Sequence, residues 1–275
     1  MVSIITAIYN QLPMNRLYYE TIKKHTDGDW ELIIIDNGST DGSPEFFEKL
    51  GDSRIRVIRN DGNYSYPYCQ NKGISHARGE VLAFLNNDIL LPPHWDSRVG
   101  QVLGKNGYEV LSVSSNDHLP SKSETKRLAH RFKRIKYPLL SLFGSRKWVL
   151  KLITRLTYGN WDKFTGNIWE KYGTGLTRGF SGSVVIMSRK GIELFGGWDP
   201  SQQGADFDMY LRTSKRWEEK GDVKPMSLVG GVFSHHFRRL TMRESYPPFK
   251  DADKLMPLEE KWDKETREKY LSLME

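Results

Sequence analysis

Short apolar runs alternate with longer amphipathic stretches over the first 115 residues. The runs are Val2–Ile8, 31–35, 55–58, Val81–Leu85 and 110–113, and between them 12–24, 44–50, 68–77 and 94–103 carry the spacing of helices. This alternation predicts an α/β fold built on a single, mostly parallel sheet flanked by helices. Leu32-Ile33-Ile34-Ile35 is apolar at every position, so that strand is expected to be covered on both faces. Ser43-Pro44 reads as a helix N-cap followed by proline at the first helical position.

Polar residues follow the apolar runs in a regular way. Tyr9-Asn10 follows the first, Asp36-Asn37-Gly38-Ser39 the second, Asn60-Asp61 the third and Asn86-Asn87-Asp88 the fourth. Each cluster therefore falls at the carboxyl end of a predicted strand, the edge where open α/β sheets bind ligands. From 122 to 172 the alternation stops, and a basic stretch with scattered Leu, Phe and Trp reads as a helical insertion. Order returns with Arg178-Gly179-Phe180-Ser181-Gly182, the run 184–187, a short helix over 189–195, Gly196-Gly197-Trp198-Asp199 and the acidic stretch around Asp206 and Asp208. An apolar run over 228–233 then leads to His235-His236 and Arg238-Arg239. The charged end, 251–275, predicts an amphipathic helix packed back on the body. The organisation expected is one domain over 1–241, made of 1–116, the insertion and 178–241, with a helical extension over 242–275.

Charge sharpens this picture. Between Lys122 and Arg155 stand eleven Lys/Arg and one acid, Glu124, whereas the rest of the chain carries a net charge of −3. The basic character belongs to the insertion alone. Basic residues interleaved with Leu, Phe and Trp suit either a solvated helical face or an anionic membrane surface. Nucleic acid is not an expected partner, because no recognition module is present and the remainder is slightly acidic. The single cysteine, Cys69, excludes an intrachain disulfide and points to a reducing compartment. Val2–Ile8 lacks a basic leader, and no run reaches the ~18 apolar residues of a membrane span. A cytoplasmic location, with peripheral contact at the inner face of the membrane, is the expectation.

Several residues could carry chemistry. Asp88, preceded by two amides, offers hard oxygen to Mn²⁺ or Mg²⁺, or else caps the helix that follows Pro92-Pro93. Asp36 sits among the standard turn-forming residues, which is the stronger local reading, and the alternative is a carboxylate accepting bonds from a base or ribose. Asp206 and Asp208 could favour the positive end of a helix, or one of them could act as a general base. Of His235 and His236, adjacent on a strand, only one can readily enter a given site.

Together these residues resemble family 2 glycosyltransferases of the GT-A fold. The resemblance rests on Ile4-Ile5-Thr6-Ala7-Ile8-Tyr9-Asn10, Ile35-Asp36-Asn37-Gly38-Ser39-Thr40-Asp41-Gly42, Asn71-Lys72-Gly73-Ile74, Leu85-Asn86-Asn87-Asp88, Gly196-Gly197-Trp198-Asp199 and the stretch from Asp206 to Arg212. It implies a nucleoside pocket lined by Ala7, Tyr9 and Asp36 with Asn37 and Asn71 nearby. It implies that Asn86, Asn87 and Asp88 occupy the D-x-D position, with Asp88 holding the cation. Asp206 matches the catalytic base of inverting transfer, and one of His235 and His236 matches a histidine that ligates the cation in some members. Asn86 in place of an acid resembles the Asn-Asn-Asp form of rhamnosyltransferase-like members, and Ala205 replaces the usual Glu. The donor implied is a dTDP-, UDP- or GDP-sugar, and the acceptor a glycan or lipid-linked glycan. Those two departures leave a catalytically silent sugar-nucleotide-binding domain as the alternative. A nucleotidyltransferase is disfavoured, because Ala7-Ile8-Tyr9-Asn10-Gln11 lacks a Gly-rich basic loop.

Overall fold

The structure is a computed structural model and describes residues 1–238, 240 and 246–274. Arg239 and the expected boundary at 241–242 lie outside the described residues. The first four strands, β1 (Val2–Ile8), β2 (Trp30–Asp36), β3 (Ile55–Arg59) and β4 (Val81–Leu85), are parallel neighbours. They are joined by α1 (Leu12–His25), α2 (Ser43–Glu48) and α3 (Tyr66–His76). Next come β5 (Ile89–Leu90), α4 (Trp95–Val99) and β6 (Val110–Ser115). The basic insertion forms α5 (Lys122–Phe143), α6 (Lys147–Tyr158) and α7 (Trp161–Tyr172). The chain continues through β7 (Leu176–Arg178), β8 (Val184–Ser188), α8 (Arg189–Phe195), α9 (Ala205–Lys220) and β9 (Ser227–His236). It then reaches α10 (Leu258–Lys261) and α11 (Lys264–Leu271).

Among the described residues the sheet runs β3-β2-β1-β4-β8-β6-β9-β5, with β7 also paired to β9. The mixed α/β architecture is the one expected, but its second half is less parallel than the first. β8 enters antiparallel between β4 and β6, and β5 and β7 run against β9. Alternate residues of each central strand feed opposite layers. Ile4, Leu32, Ile34, Ala83 and Leu85 pack with α1, α2, α4, α5 and α6, whereas Ile5, Ile33, Ile35, Leu82 and Phe84 pack with α3, α9 and the C-terminal helices. Each fully buried Leu, Ile or Phe stabilises the fold by roughly 1.5–3 kcal/mol relative to exposure.

Three local expectations are revised. Ser43 is the first residue of α2 and not its cap, because Gly42, at φ 84°, turns the chain in; the Ser43 hydroxyl instead accepts from Asn15 Nδ2 at 2.8 Å. α4 is shorter than 94–103, ending at Val99 with Gly100 as its C-cap. The extension is not one helix but short pieces, interrupted at Pro257 and restarted by Asp263, whose carboxylate caps α11. No helix among the described residues is long and apolar enough to cross a membrane.

Candidate functional site

The polar clusters converge as the strand order requires. β5 pairs antiparallel with the end of β9, setting Ile89 opposite His236 and Leu90 opposite His235, and Phe237 N donates to Asp88 O at 2.8 Å. This two-residue ladder carries Asp88 to His236, 148 positions along the chain. His236 Nε2 lies 3.1 Å from Asp88 Oδ1, and its Nδ1 lies 3.0 Å from Asp117 Oδ2. Burial alone would lower the His236 pKa, but the two flanking carboxylates raise it to about 9. Burial would raise Asp88, yet the imidazolium beside it holds its carboxyl below the usual range. Asn116 fixes the histidine backbone through bonds of 2.7 and 3.0 Å, and Arg238 reaches Asp117 at 3.1 Å.

His235 faces the other way. It is fully buried, 2.6 Å from the Tyr158 hydroxyl and packed against Phe132 and Phe237, and burial keeps it neutral. Of the two candidate histidines, the structure therefore brings only His236 to Asp88. The 3.1 Å between Asp88 Oδ1 and His236 Nε2 matches the edge of an octahedron with bonds of about 2.1 Å, so the pair fits two adjacent positions on a small divalent cation. Among the described residues no group of three or more His, Cys, Asp or Glu is arranged to hold a metal, so further ligands would have to come from a substrate or water.

Beside this pair opens a cleft of about 520 Å³ lined by Ala7, Tyr9, Asn37, Tyr66, Asn87 and Tyr246, among others. The end of β1 contributes Ala7 and Ile8 to its lining, followed by Tyr9, and the next two residues, Asn10 and Gln11, both take positive φ, 53° and 67°. That conformation is held from β2's loop, with Asn10 N donating to Ser39 Oγ and Thr40 N to Asn10 Oδ1, each at 2.8 Å. Asn37 is fixed by Tyr64 O at 2.9 Å and Asn60 Nδ2 at 2.8 Å. Asn87 is fixed by its bond to Asn15 Oδ1 at 2.8 Å. The Tyr9 and Tyr246 rings lie 4.9 Å apart, and Pro247 O accepts from Asn63 Nδ2 at 2.8 Å, so the segment after β9 forms one wall.

The remaining predicted residues are placed unequally. Asp36 is buried at the end of β2, accepts from Ser39 N at 3.1 Å, and is raised by burial; it is not among the residues lining the cleft. Asn71 spends its amide on Trp198, donating to its carbonyl at 2.6 Å and accepting from its N–H at 3.0 Å. It thus clamps the 196–199 loop. Asn86 donates its backbone N–H to Ser183 O at 3.0 Å. Next to that contact, Asp206 packs its carboxylate over Gly182, where a β-carbon would lie 2.1 Å from Oδ2. Burial raises the Asp206 pKa, and its charge is felt by the buried Tyr66 hydroxyl of the cleft. Asp208 is structural: fully buried, it receives Arg212, Lys261 and Trp262 at 2.6–2.8 Å and so ties the extension to α9. A poised carboxylate and a carboxylate–imidazole pair at one sheet edge can accept a proton and hold a cation.

Two contributors escaped the sequence reading. Asp117 follows the run over 110–113 just as Asp88 follows β4, so the strand-end rule could have found it. Tyr246 lies past the recognisable pattern and carried no signal.

Residues 3–166 match the model of a family described as glycosyl transferase family 2. The chain is 32% identical over 93 residues to the glycosyltransferase GlyG of Streptococcus pneumoniae, covering 33% of this chain and 31% of GlyG. It is 26% identical over 122 residues to WfgD of Escherichia coli, a UDP-Glc:alpha-D-GlcNAc-diphosphoundecaprenol beta-1,3-glucosyltransferase, covering 42% of this chain and 48% of WfgD. The overlap thus spans less than half the length of these curated relatives. Among solved structures, the mannosyltransferase PcManGT of Pyrobaculum calidifontis, in complex with GDP-Man and Mn²⁺, shares the fold at TM-score 0.55 and 14% identity, over 90% of this chain and 65% of that one.

Proposed function

Because the chain belongs to glycosyl transferase family 2, we propose that it is an inverting, metal-dependent enzyme. On this reading it moves a sugar from a nucleotide-diphosphate donor to a hydroxyl of a glycan or lipid-linked glycan. The observation that carries the reading is the Asp88–His236 pair set beside the cleft at the carboxyl edge of the sheet. Asp88 and His236 would hold Mn²⁺ or Mg²⁺, with donor diphosphate oxygens as further ligands. The cation, when bound, supplies Lewis-acid stabilisation of the charge that develops on the leaving diphosphate.

The chain's own residues do the rest. His236 would hold the cation through Nε2, while an Nδ1–H bond to Asp117 would orient the ring. Tyr9, Asn37 and Asn87 bind and orient the nucleoside end of the donor. Asp36, held by Ser39, shapes the β2 end against which that nucleoside sits. Asp206 accepts the proton of the acceptor hydroxyl as its oxygen attacks the anomeric carbon from the face opposite the leaving group. Its raised pKa makes it a stronger base than an exposed Asp.

A thermal-shift screen of sugar nucleotides with Mn²⁺ tests the reading, with dTDP-rhamnose first and UDP- and GDP-sugars following. The matching donor at about 100 times its Kd stabilises by roughly 2.7 kcal/mol. Asp88→Ala is expected to abolish the cation-dependent part of that shift. Full stabilisation of Asp88→Ala by the best donor would refute the metal role, and tight binding with no release of nucleoside diphosphate in the presence of acceptors would favour a silent binding domain.

A further inference from the structure

The insertion leaves an unusual surface at the corner where α5 turns into α6. Of the twelve large hydrophobic residues exposed among the described ones, five fall between positions 137 and 156: Tyr137 (51% exposed), Leu142 (74%), Phe143 (44%), Trp148 (49%) and Leu156 (46%). They form a surface and not a scatter. Phe143 and Trp148 have ring centroids 5.4 Å apart across the corner. On α5, Lys133, Arg134, Tyr137 and Leu142 follow one another along the solvent-facing arc, opposite the buried stripe of Phe132, Lys136 and Leu140. On α6, Trp148, Lys151, Arg155 and Leu156 occupy the outer face while Val149, Leu150, Ile153 and Tyr158 are buried.

The charge of this surface is of one sign. Lys133, Arg134, Arg146 and Arg155 are exposed and form no ion pair among the described residues. Glu20 of α1, the acid that reaches this corner, is taken by Lys147 and by Lys151, the latter at 2.9 Å. A second copy docking face to face would bring two unneutralised cationic surfaces together. A nucleic-acid backbone would meet the cations but would leave Leu142, Phe143 and Trp148 in water. An anionic bilayer answers both features: lipid phosphates meet the cations, and the interface accepts Trp, Tyr, Phe and Leu.

We propose that the α5–α6 corner docks on an anionic membrane surface, with Leu142, Phe143 and Trp148 inserted at the headgroup level and Lys133, Arg134 and Arg146 against lipid phosphates. The docking is peripheral. It also has a consequence for the active site. α5 lines the small cleft beside Asp117 through Lys133, Lys136 and Tyr137, and about 14 Å of helix separates Lys133 from Leu142. A lipid-held acceptor would thus present its head close to the Asp117–His236 edge; this consequence rests on the transferase reading, whereas the docking does not.

Vesicle co-sedimentation of the whole chain tests the docking, comparing pure phosphatidylcholine with a phosphatidylcholine–phosphatidylglycerol mixture. Binding is expected only to the mixture, and weaker as salt rises from about 0.05 to 0.3 M. Leu142→Ala/Phe143→Ala/Trp148→Ala and, separately, Arg134→Glu/Arg146→Glu/Arg155→Glu should each weaken it by at least roughly tenfold. All six positions lie outside the candidate active site, so an unchanged Mn²⁺-dependent donor shift in these variants verifies their fold, and a failed donor screen leaves the vesicle result readable. Equal sedimentation of wild type and both variants, no binding to the anionic mixture, or a wild-type chain whose corner is covered by self-association in light scattering would each overturn the proposal.

Discussion

Gly182→Ala offers a sharp test of the catalytic role of Asp206. The substitution adds one methyl group whose carbon would sit 2.1 Å from Asp206 Oδ2 and 3.1 Å from its Cγ. A β-carbon essentially never comes within 3.0 Å of such an atom and ordinary contact begins at 3.4 Å, so the carboxylate must move by about 1 Å or swing to another rotamer. Gly182 is not among the glycines of positive φ, so alanine strains no backbone there and the perturbation acts on Asp206. A base displaced by about 1 Å loses roughly a hundredfold in rate, and general-base catalysis as a whole contributes roughly 10²–10⁴. With the donor identified by thermal shift, turnover is read as release of nucleoside diphosphate in the presence of acceptor. The expected result is a kcat lower by about 10² with donor affinity within twofold of wild type, and Asp206→Asn at least as impaired. A Gly182→Ala enzyme with wild-type kcat, or an active Asp206→Asn, would refute the assignment of Asp206 as base.

The two histidines should separate by phenotype. His236→Ala loses the cation-dependent donor shift, whereas His235→Ala strands the Tyr158 hydroxyl and opens a cavity, costing about 3 kcal/mol and lowering Tm by roughly 6–12 °C. Equal donor shifts in both variants would contradict this. In the pH profile of kcat, Asp206 must be ionised to act, so activity is lost as pH falls through its raised pKa; the acidic limb should stand above 3.8 and vanish in Asp206→Asn, and a limb at or below 3.8 would count against it. Gly73→Ala places a β-carbon 2.2 Å from Ile5 Cγ2, so α3 must lift from β1, destabilising by about 1–3 kcal/mol in urea unfolding with little effect on donor affinity once folded.

Much of the site was legible because it obeys a local rule. Tyr9, Asn37, Asn87 and Asp88 each follow an apolar run and Ala7 stands near the end of one, and a parallel sheet sends every such residue to the same edge. The family motifs added order and spacing, yet they did not separate ligand-facing residues from supports. Asn71 and Gly73 lie in one motif, and both hold the frame: Asn71 clamps Trp198, and Gly73 lets α3 approach Ile5. Asp206 and Asp208 differ by two positions on a helix, which turns them about 200° apart. One meets Gly182 and the other is buried against Lys261 and Trp262. No pattern in the sequence states which, because the deciding neighbours are remote.

By itself the sequence determined the alternation of strands and helices, the basic insertion and the chain positions of the polar clusters. Periodicity and turn chemistry act over a few residues, and these features need no more than that. The tertiary structure alone decided that β8 runs backwards between β4 and β6, that β5 pairs with β9, and hence that His236 and not His235 stands beside Asp88. Those outcomes depend on pairing between segments 73 to 147 residues apart, from Ser112↔Val185 to Ile89↔His236. There the register of two short strands, and not any local preference, fixes which face each side chain presents.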